Sequence, residues 1–334
     1  MTRERIALVL GATGGIGGEV AQRLRKRGWS VRALHRDAAR MAGQAQSGLS
    51  WIQGDAMRRE DVIAAARGVS LIVHAVNPPG YRNWGELVLP MLENTIAAAR
   101  ASGARILFPG TVYNYGPDTF ANIDENAPQN PVTRKGAIRV EMERRLRIAA
   151  ETGVKTLIVR AGDFFGPKVG NSWFAQGLIK PGRPVASVSY PGRRNVGHHW
   201  AYLPDVAETM VRLAEREDLA PFAAFHMKGH WDADGTEMIA AIRRVVGRPN
   251  LKVHAFPWWM LALASPFVPL FRELREMRYL WDVPVRMNNA RLVTLLGSEP
   301  HTPIDDAVRA TLQGLGCLAT SGEASPNATL QTLL

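Results

Sequence analysis

Ile6-Ala-Leu-Val-Leu10 is an apolar run that ends directly in a glycine-rich turn, and the turn opens a helix-patterned stretch over 16–27. No other feature so narrows what this chain can fold into. Gly11, Gly14 and Gly17 recur every three residues, with Thr13, Gly15 and Ile16 between them. Glycine lets the backbone turn sharply and approach a pyrophosphate closely. The helix that follows offers unpaired N–H groups and the positive end of its dipole. Strand, glycine turn and helix in that order predict a dinucleotide site.

The rest of the first half supports this reading. Short apolar runs at 30–34, 49–53, 71–76, 105–109 and 155–159 alternate with helical spacing at 60–67, 86–102 and 135–151. That alternation predicts an α/β fold with a doubly wound parallel sheet of the Rossmann type. Gly28 and Gly103 follow two of the helices as C-terminal caps. Beyond residue 165 the rhythm changes, with Gly166-Pro167, Pro181-Gly182 and Pro191-Gly192 breaking the pattern. Helices are expected at 204–216, capped by Asp205, and at 236–246. The chain divides on this reading into a dinucleotide-binding domain (1–165), a smaller α/β substrate lobe (166–318, with segments returning to the sheet) and a flexible tail (319–334).

Composition excludes several other functions. The formal charge of +11 is spread over helices, as in Arg23, Arg25, Lys26 and Arg27 or Arg243 and Arg244. It does not form one block interleaved with aromatics, so nucleic acid is not an expected partner. The longest apolar stretch, Phe256 to Phe271, is broken by Pro257, Pro266 and Pro269 and is too short for a membrane span. An exposed apolar helix within it, touching a membrane or a partner, is one alternative. No signal peptide is read at the N-terminus, and the one cysteine, Cys317, suits a reducing compartment, so a cytoplasmic protein is expected. His198-His199 has no companion ligands at metal spacing, and no metal site is expected.

The spacing of Gly11, Gly14 and Gly17 resembles that of the short-chain dehydrogenase/reductase superfamily. Further stretches resemble its extended, NAD-dependent epimerase/dehydratase-like members in the same order: Gly54-Asp55-Ala56, the strand 71–76, Arg160-Ala-Gly-Asp163, Tyr202-Leu-Pro-Asp205 and the C-terminal Leu296-Gly297 with Pro303. The resemblance implies that Asp55 and Ala56 meet the adenine, that Ala75, Val76 and Asn77 lie along the ribose, and that Ala161 lies near the nicotinamide. Arg36, at the end of the second strand, stands where a guanidinium can clamp a 2′-phosphate. NADP(H) is therefore preferred as cofactor, with NAD(H) as the alternative.

Such proteins pair a Ser or Thr with a Tyr-x-x-x-Lys. Thr111 matches the first position, but the second motif is absent. Aligning Gly136 and Glu143 puts Lys135 at the tyrosine and Arg139 at the lysine, one helical turn apart on one side. The fixed charge of Arg139 favours the neutral amine of Lys135 that proton transfer needs. The pair resembles the isoflavone and lignan reductases, which implies an NADPH-dependent oxidoreductase acting on a carbonyl or on a conjugated or benzylic centre. Lys135 and Arg139 would otherwise only hold cofactor, as in NmrA-type redox sensors. An epimerase or dehydratase is a further alternative. Asp163 is a candidate partner of Lys135 or of substrate, and Tyr113 is the reserve acid, with Tyr115 read as a packing residue. The substrate is a small molecule, and the aromatic residues of the second half suit an aromatic or lipophilic one. Candidate contacts are His198, at the position of the epimerases' diphosphate-binding arginine, with Arg193, Trp173 and Trp200. The family resemblance also implies a homodimer built through 86–102 and 135–151.

Overall fold

The computed structural model describes residues 4–43, 48–78, 84–169, 172–265 and 274–319. Strands β1 (Ile6–Leu10), β2 (Ser30–His35), β3 (Ser50–Gln53), β4 (Leu71–His74), β5 (Arg105–Thr111) and β6 (Thr156–Ala161) fall on the six expected runs. They join in a seven-stranded sheet, and the seventh strand, Phe222–His226, comes from the second half of the chain. Every pairing in the sheet is parallel.

Both faces of the sheet are covered, which explains why the strands read as unbroken apolar runs. Alternate residues of β1 go to opposite cores. Leu8 and Leu10 join Val88, Leu92 and Ile96 of α4 (Trp84–Ser102) and Leu146 of α5 (Arg134–Glu151). Ala7 and Val9 join Val20 and Leu24 of α1 (Gly15–Lys26) and Val206 and Met210 of α6 (Leu203–Ala214). A third core, rich in aromatics, fills the second half around Phe165, Phe174, Trp200 and Trp281. There β7 (Asp163–Phe165), β9 (His198–Tyr202) and β11 (His230–Asp232) form a small sheet, and β8 (Ser187–Tyr190) pairs with β12 (Lys252–Ala255).

Gly28 and Gly103 take the positive φ expected of helix caps, +79° and +72°. Asp205 does not cap α6. That helix already starts at Leu203, with Pro204 in its first turn, so Asp205 sits inside it. Its carboxylate instead accepts from the backbone N–H and the hydroxyl of Thr302, at 2.7 and 2.8 Å. The expected tail lies, from residue 320 onward, outside the described residues.

One buried polar network crosses the sheet. Arg160 on β6 is fully buried, and its Nε donates to Glu143 of α5 at 3.0 Å. Its Nη1 lies 2.8 Å from Nε2 of His226, which Tyr115 also approaches at 2.9 Å. Gln129 donates to the same Glu143 carboxylate. Glu143, read in the sequence only as an alignment mark, thus anchors α5 to the sheet. Arg160→Leu would leave that carboxylate buried and uncompensated. We expect a loss of about 3–5 kcal/mol in urea unfolding, and a loss below about 1 kcal/mol would contradict the network's role.

Burial holds four histidines neutral well below their usual range: His74 and His226 to about 3, His199 and His230 to about 4. The unfolded chain binds protons at these positions below about pH 6.5, while the native chain does not. Their contribution to stability is complete above that pH and is lost as pH falls toward 4 and 3. Urea midpoints should therefore drop steadily between about pH 6.5 and pH 4.5. An unchanged midpoint over that window would show that these histidines protonate in the native state.

Candidate active site at the carboxyl edge of the sheet

Gly11 takes φ +92°, and a Cβ there would stand 2.5 Å from the carbonyl oxygen of Ala75. A Cβ on Gly17 would meet the carbonyl oxygen of Gly11 at 2.2 Å. These two glycines bring β1, α1 and the end of β4 together more closely than any other residue allows. Gly14 caps α1 without a side-chain hydrogen bond, and no acidic residue occupies the first turn. The helix therefore presents bare N–H groups and an uncompensated dipole end, which suits a pyrophosphate. Thr13 and Gly14 are exposed there.

A cleft of about 290 Å³ runs from this turn across the sheet edge. Gly14, Gly15 and Ile16 line one end of it, and Ala75, Val76 and Asn77 follow. Arg36 is exposed at the carboxyl end of β2, where its carbonyl accepts from Gln53. Asp37 caps the next helix by accepting from the N–H of Arg40. Asp55, after β3, accepts from the N–H of Met57, and the carbonyl of Ala56 accepts from Asn94. Arg36, Asp55 and Ala56 thus stand at the ends of the strands beyond β1, outside the cleft wall itself.

The sequence reading missed much of the cleft wall, including His74, Trp84, Phe108 and Lys168. His74 had been read only as part of a buried strand. Thr95 donates its hydroxyl to the carbonyl of Met91, so its oxygen accepts from Nδ1 of His74 at 2.7 Å. That bond places the proton of the neutral ring on Nδ1. Nε2 is left as a buried acceptor with no partner among the described residues. Burial and, next, the charge of Arg139 keep the ring neutral. An orphaned acceptor and an open helix N-terminus in one cleft fit a bound dinucleotide.

Beside this cleft lies a second cavity of about 170 Å³. Gly110, Thr111, Arg139 and Phe164 line both. Thr111 accepts from the N–H of Tyr113 at 2.9 Å, which leaves its hydroxyl hydrogen to donate. Lys135 is the second residue of α5 and is only 7% exposed. Thr133 caps this helix through the N–H of Gly136, and the Lys135 N–H donates to Glu276 at 3.3 Å. A Cβ on Gly136 would stand 2.2 Å from the carbonyl of Tyr113, so the glycine lets α5 close onto the loop after β5. Arg139, one turn on, lies over the rings of Trp84 and Phe108 at 5.4 and 5.5 Å and forms part of the partition between the cavities. Thr111, Tyr113, Lys135, Arg139, Ala161, Asp163 and Trp173 are thereby brought together around one space.

The remaining candidates lie elsewhere. His198 is buried behind Asp163, with Nε2 3.1 Å from its Oδ2, Nδ1 3.3 Å from the carbonyl of Leu280, and its ring stacked on Trp281. It does not line the cavity, because β9 turns this side chain into the aromatic core. The same alternation buries Trp200 completely. Arg193 is exposed and bonds Asp282 at 2.8 Å, outside the cavity wall. Among the described residues no group of three or more His, Cys, Asp or Glu is arranged to hold a metal, and no helix is long and apolar enough to cross a membrane.

Solved structures share this architecture. An epimerase-like protein of Burkholderia cenocepacia J2315 superposes with a TM-score of 0.73 at 20% identity, over 95% of this chain and 100% of that one. The UDP-glucuronic acid 4-epimerase of Bacillus cereus, solved with UDP-glucuronic acid and NAD, gives 0.70 at 16%, over 93% and 98%. In sequence, the chain is 30% identical over 178 residues to the 3-diazoavenalumate denitrifying reductase of a Streptomyces species. That match spans 49% of this chain and 57% of the reductase. The sequence profile of the NAD dependent epimerase/dehydratase family matches residues 7–223. With that match over more than half its length, the chain belongs to the NAD dependent epimerase/dehydratase family.

Proposed function

We propose that this protein is an NADP(H)-dependent reductase of a small, aromatic or lipophilic organic molecule, acting at a carbonyl or at a conjugated or benzylic centre. One observation carries the reading. Lys135, Thr111 and Asp163 surround a small cavity that shares a wall with the dinucleotide cleft. Bound in the cleft, the nicotinamide supplies a hydride. The chain's own residues then have to place the substrate and deliver a proton. The Thr111 hydroxyl donates to the substrate oxygen or to the equivalent polar atom, and Lys135 Nζ transfers the proton. Arg139 takes the place of the family's lysine and helps to hold the cofactor, since it lies in the wall between the two spaces.

Several features favour this reading over the sugar-nucleotide alternative. The cavity is smaller than the about 300–1,000 Å³ usual for drug-sized ligands. Trp173, Phe164, Phe256 and Met277 give it apolar walls. Neither His198 nor Arg193 offers it a cation for a diphosphate. The relative from Streptomyces is a reductase, which makes diazo compounds reasonable members of a first substrate screen. The preference for NADP(H) rests on Arg36, and Asp37 caps a helix instead of offering a free carboxylate to a 2′-hydroxyl. A cytoplasmic location agrees with the single buried Cys317. A homodimer through α4 and α5 belongs to the same proposal. Their exposed faces carry the ion pairs Arg145–Glu93 and Arg144–Glu141, so such an interface would be polar.

Fluorescence titration should show NADPH binding more tightly than NADH, and Arg36→Ala should weaken NADPH about tenfold (~1.4 kcal/mol) without changing NADH. Equal affinities would remove the 2′-phosphate from Arg36. Lys135→Met should keep cofactor affinity and lower kcat by about 10²–10⁴ on any reduced substrate. A retained cofactor that is never consumed would favour the epimerase instead.

A further inference from the structure

The apolar stretch singled out in the sequence contains the most exposed large hydrophobic side chains described. Trp258–Ala264 forms a short helix, α7 (Glu237–Val246) and β12 preceding it. On this helix, α8, Trp259 is 66% exposed, Met260 50% and Leu263 70%. Trp259 and Leu263 lie one turn apart on one face, while Leu261 points inward and is buried. Substituting polar residues at these positions would cost the fold little, so their apolar character calls for something outside the chain to cover it.

The surroundings of α8 say what that is. Trp258 Nε1 donates to the carbonyl of Pro191 at 2.8 Å, which sets the helix against the loop carrying Arg193 and Arg194. Both arginines are exposed. Arg278 lies over the Trp258 ring at 5.5 Å, and Arg275 donates to Ser265 at the helix end at 2.7 Å. Of the acidic side chains, Asp282 pairs with Arg193 and Arg278, and Glu276 is engaged by the α5 N-terminus. Four arginines against two described carboxylates leave the rim of this apolar patch net positive, which matches an anionic, apolar-cored surface better than an apolar protein groove. The patch is also continuous with the substrate cavity. Trp258 packs on Phe256 and Trp173, which line it, with ring centroids 4.9 and 5.6 Å away.

We propose that α8 and its arginine rim dock the protein on anionic lipid bilayers, with the apolar side chains inserted at the headgroup boundary and the cavity mouth beside them. The surface admits lipophilic molecules to the site directly from the bilayer. Docking is measured without turnover, so it stands or falls separately from the reductase reading.

The test is flotation of the full chain with phosphatidylcholine vesicles, with and without phosphatidylglycerol. Binding is expected only with phosphatidylglycerol, and should weaken in high salt. Trp259→Ser with Leu263→Ser, and independently Arg193→Glu with Arg194→Glu, should each reduce it about tenfold or more while NADPH affinity is unchanged. Failure to bind either vesicle, equal binding with and without phosphatidylglycerol, or binding by either double variant as strong as that of the wild type would overturn the proposal. A concentration-dependent dimer in light scattering that Trp259→Ser with Leu263→Ser abolishes would overturn it too, because a second copy would then cover the patch.

Discussion

The close approach of three backbone segments at Gly11 governs the site. The carbonyl of Ala75 and the start of α1 come so near to Gly11 that no Cβ fits at Gly11 or Gly17. This contact fixes the N-terminus of α1 at the carboxyl edge of the sheet. It does so where β1 separates β4 and β5 on one side from β2 and β3 on the other. Connections leave this point in opposite directions, so the sheet opens a crevice there without further design. The cleft, the orphaned acceptor of His74 and the ends of β2 and β3 follow from that placement.

The second constraint is the position of α5. Three interactions of different kinds hold it: the Thr133 cap, the contact of Gly136 with the loop after β5, and the buried pair of Glu143 with Arg160. A buried ion pair adds less to net stability than its geometry suggests, because both charges give up water. It does define one orientation strictly, since any rotation of α5 would leave a charge unpaired. With α5 held so, residues one turn apart divide their tasks. Lys135 meets only the substrate cavity, while Arg139 reaches both spaces.

Much of this was legible in the residues. The six strands, the helices between them and the glycine turn carry local signals: unbroken apolar runs, helical spacing and cap glycines. That Thr111, Lys135 and Arg139 line one cavity was legible only because they keep a spacing tied to Gly136 and Glu143. Where the signal was not local, the reading failed. Asp205 looks like a helix cap in sequence, but its partner is Thr302, far along the chain. His198 and Trp200 alternate on one strand like a pocket wall, yet the face they share turns inward. His74 hides in an apolar strand because only its bond to Thr95 and its place in the cleft wall set it apart.

The sequence by itself determined the fold class, the dinucleotide turn and the loss of the Tyr-x-x-x-Lys pair, because each depends on residue types at short, fixed separations. Only the tertiary structure decided which side chains share a cavity, which histidines are neutral, and that α8 turns its apolar face outward beside four arginines. Those outcomes depend on burial and on contacts between residues remote in the chain, and such contacts exist only once the sheet, its helices and the second half have packed together.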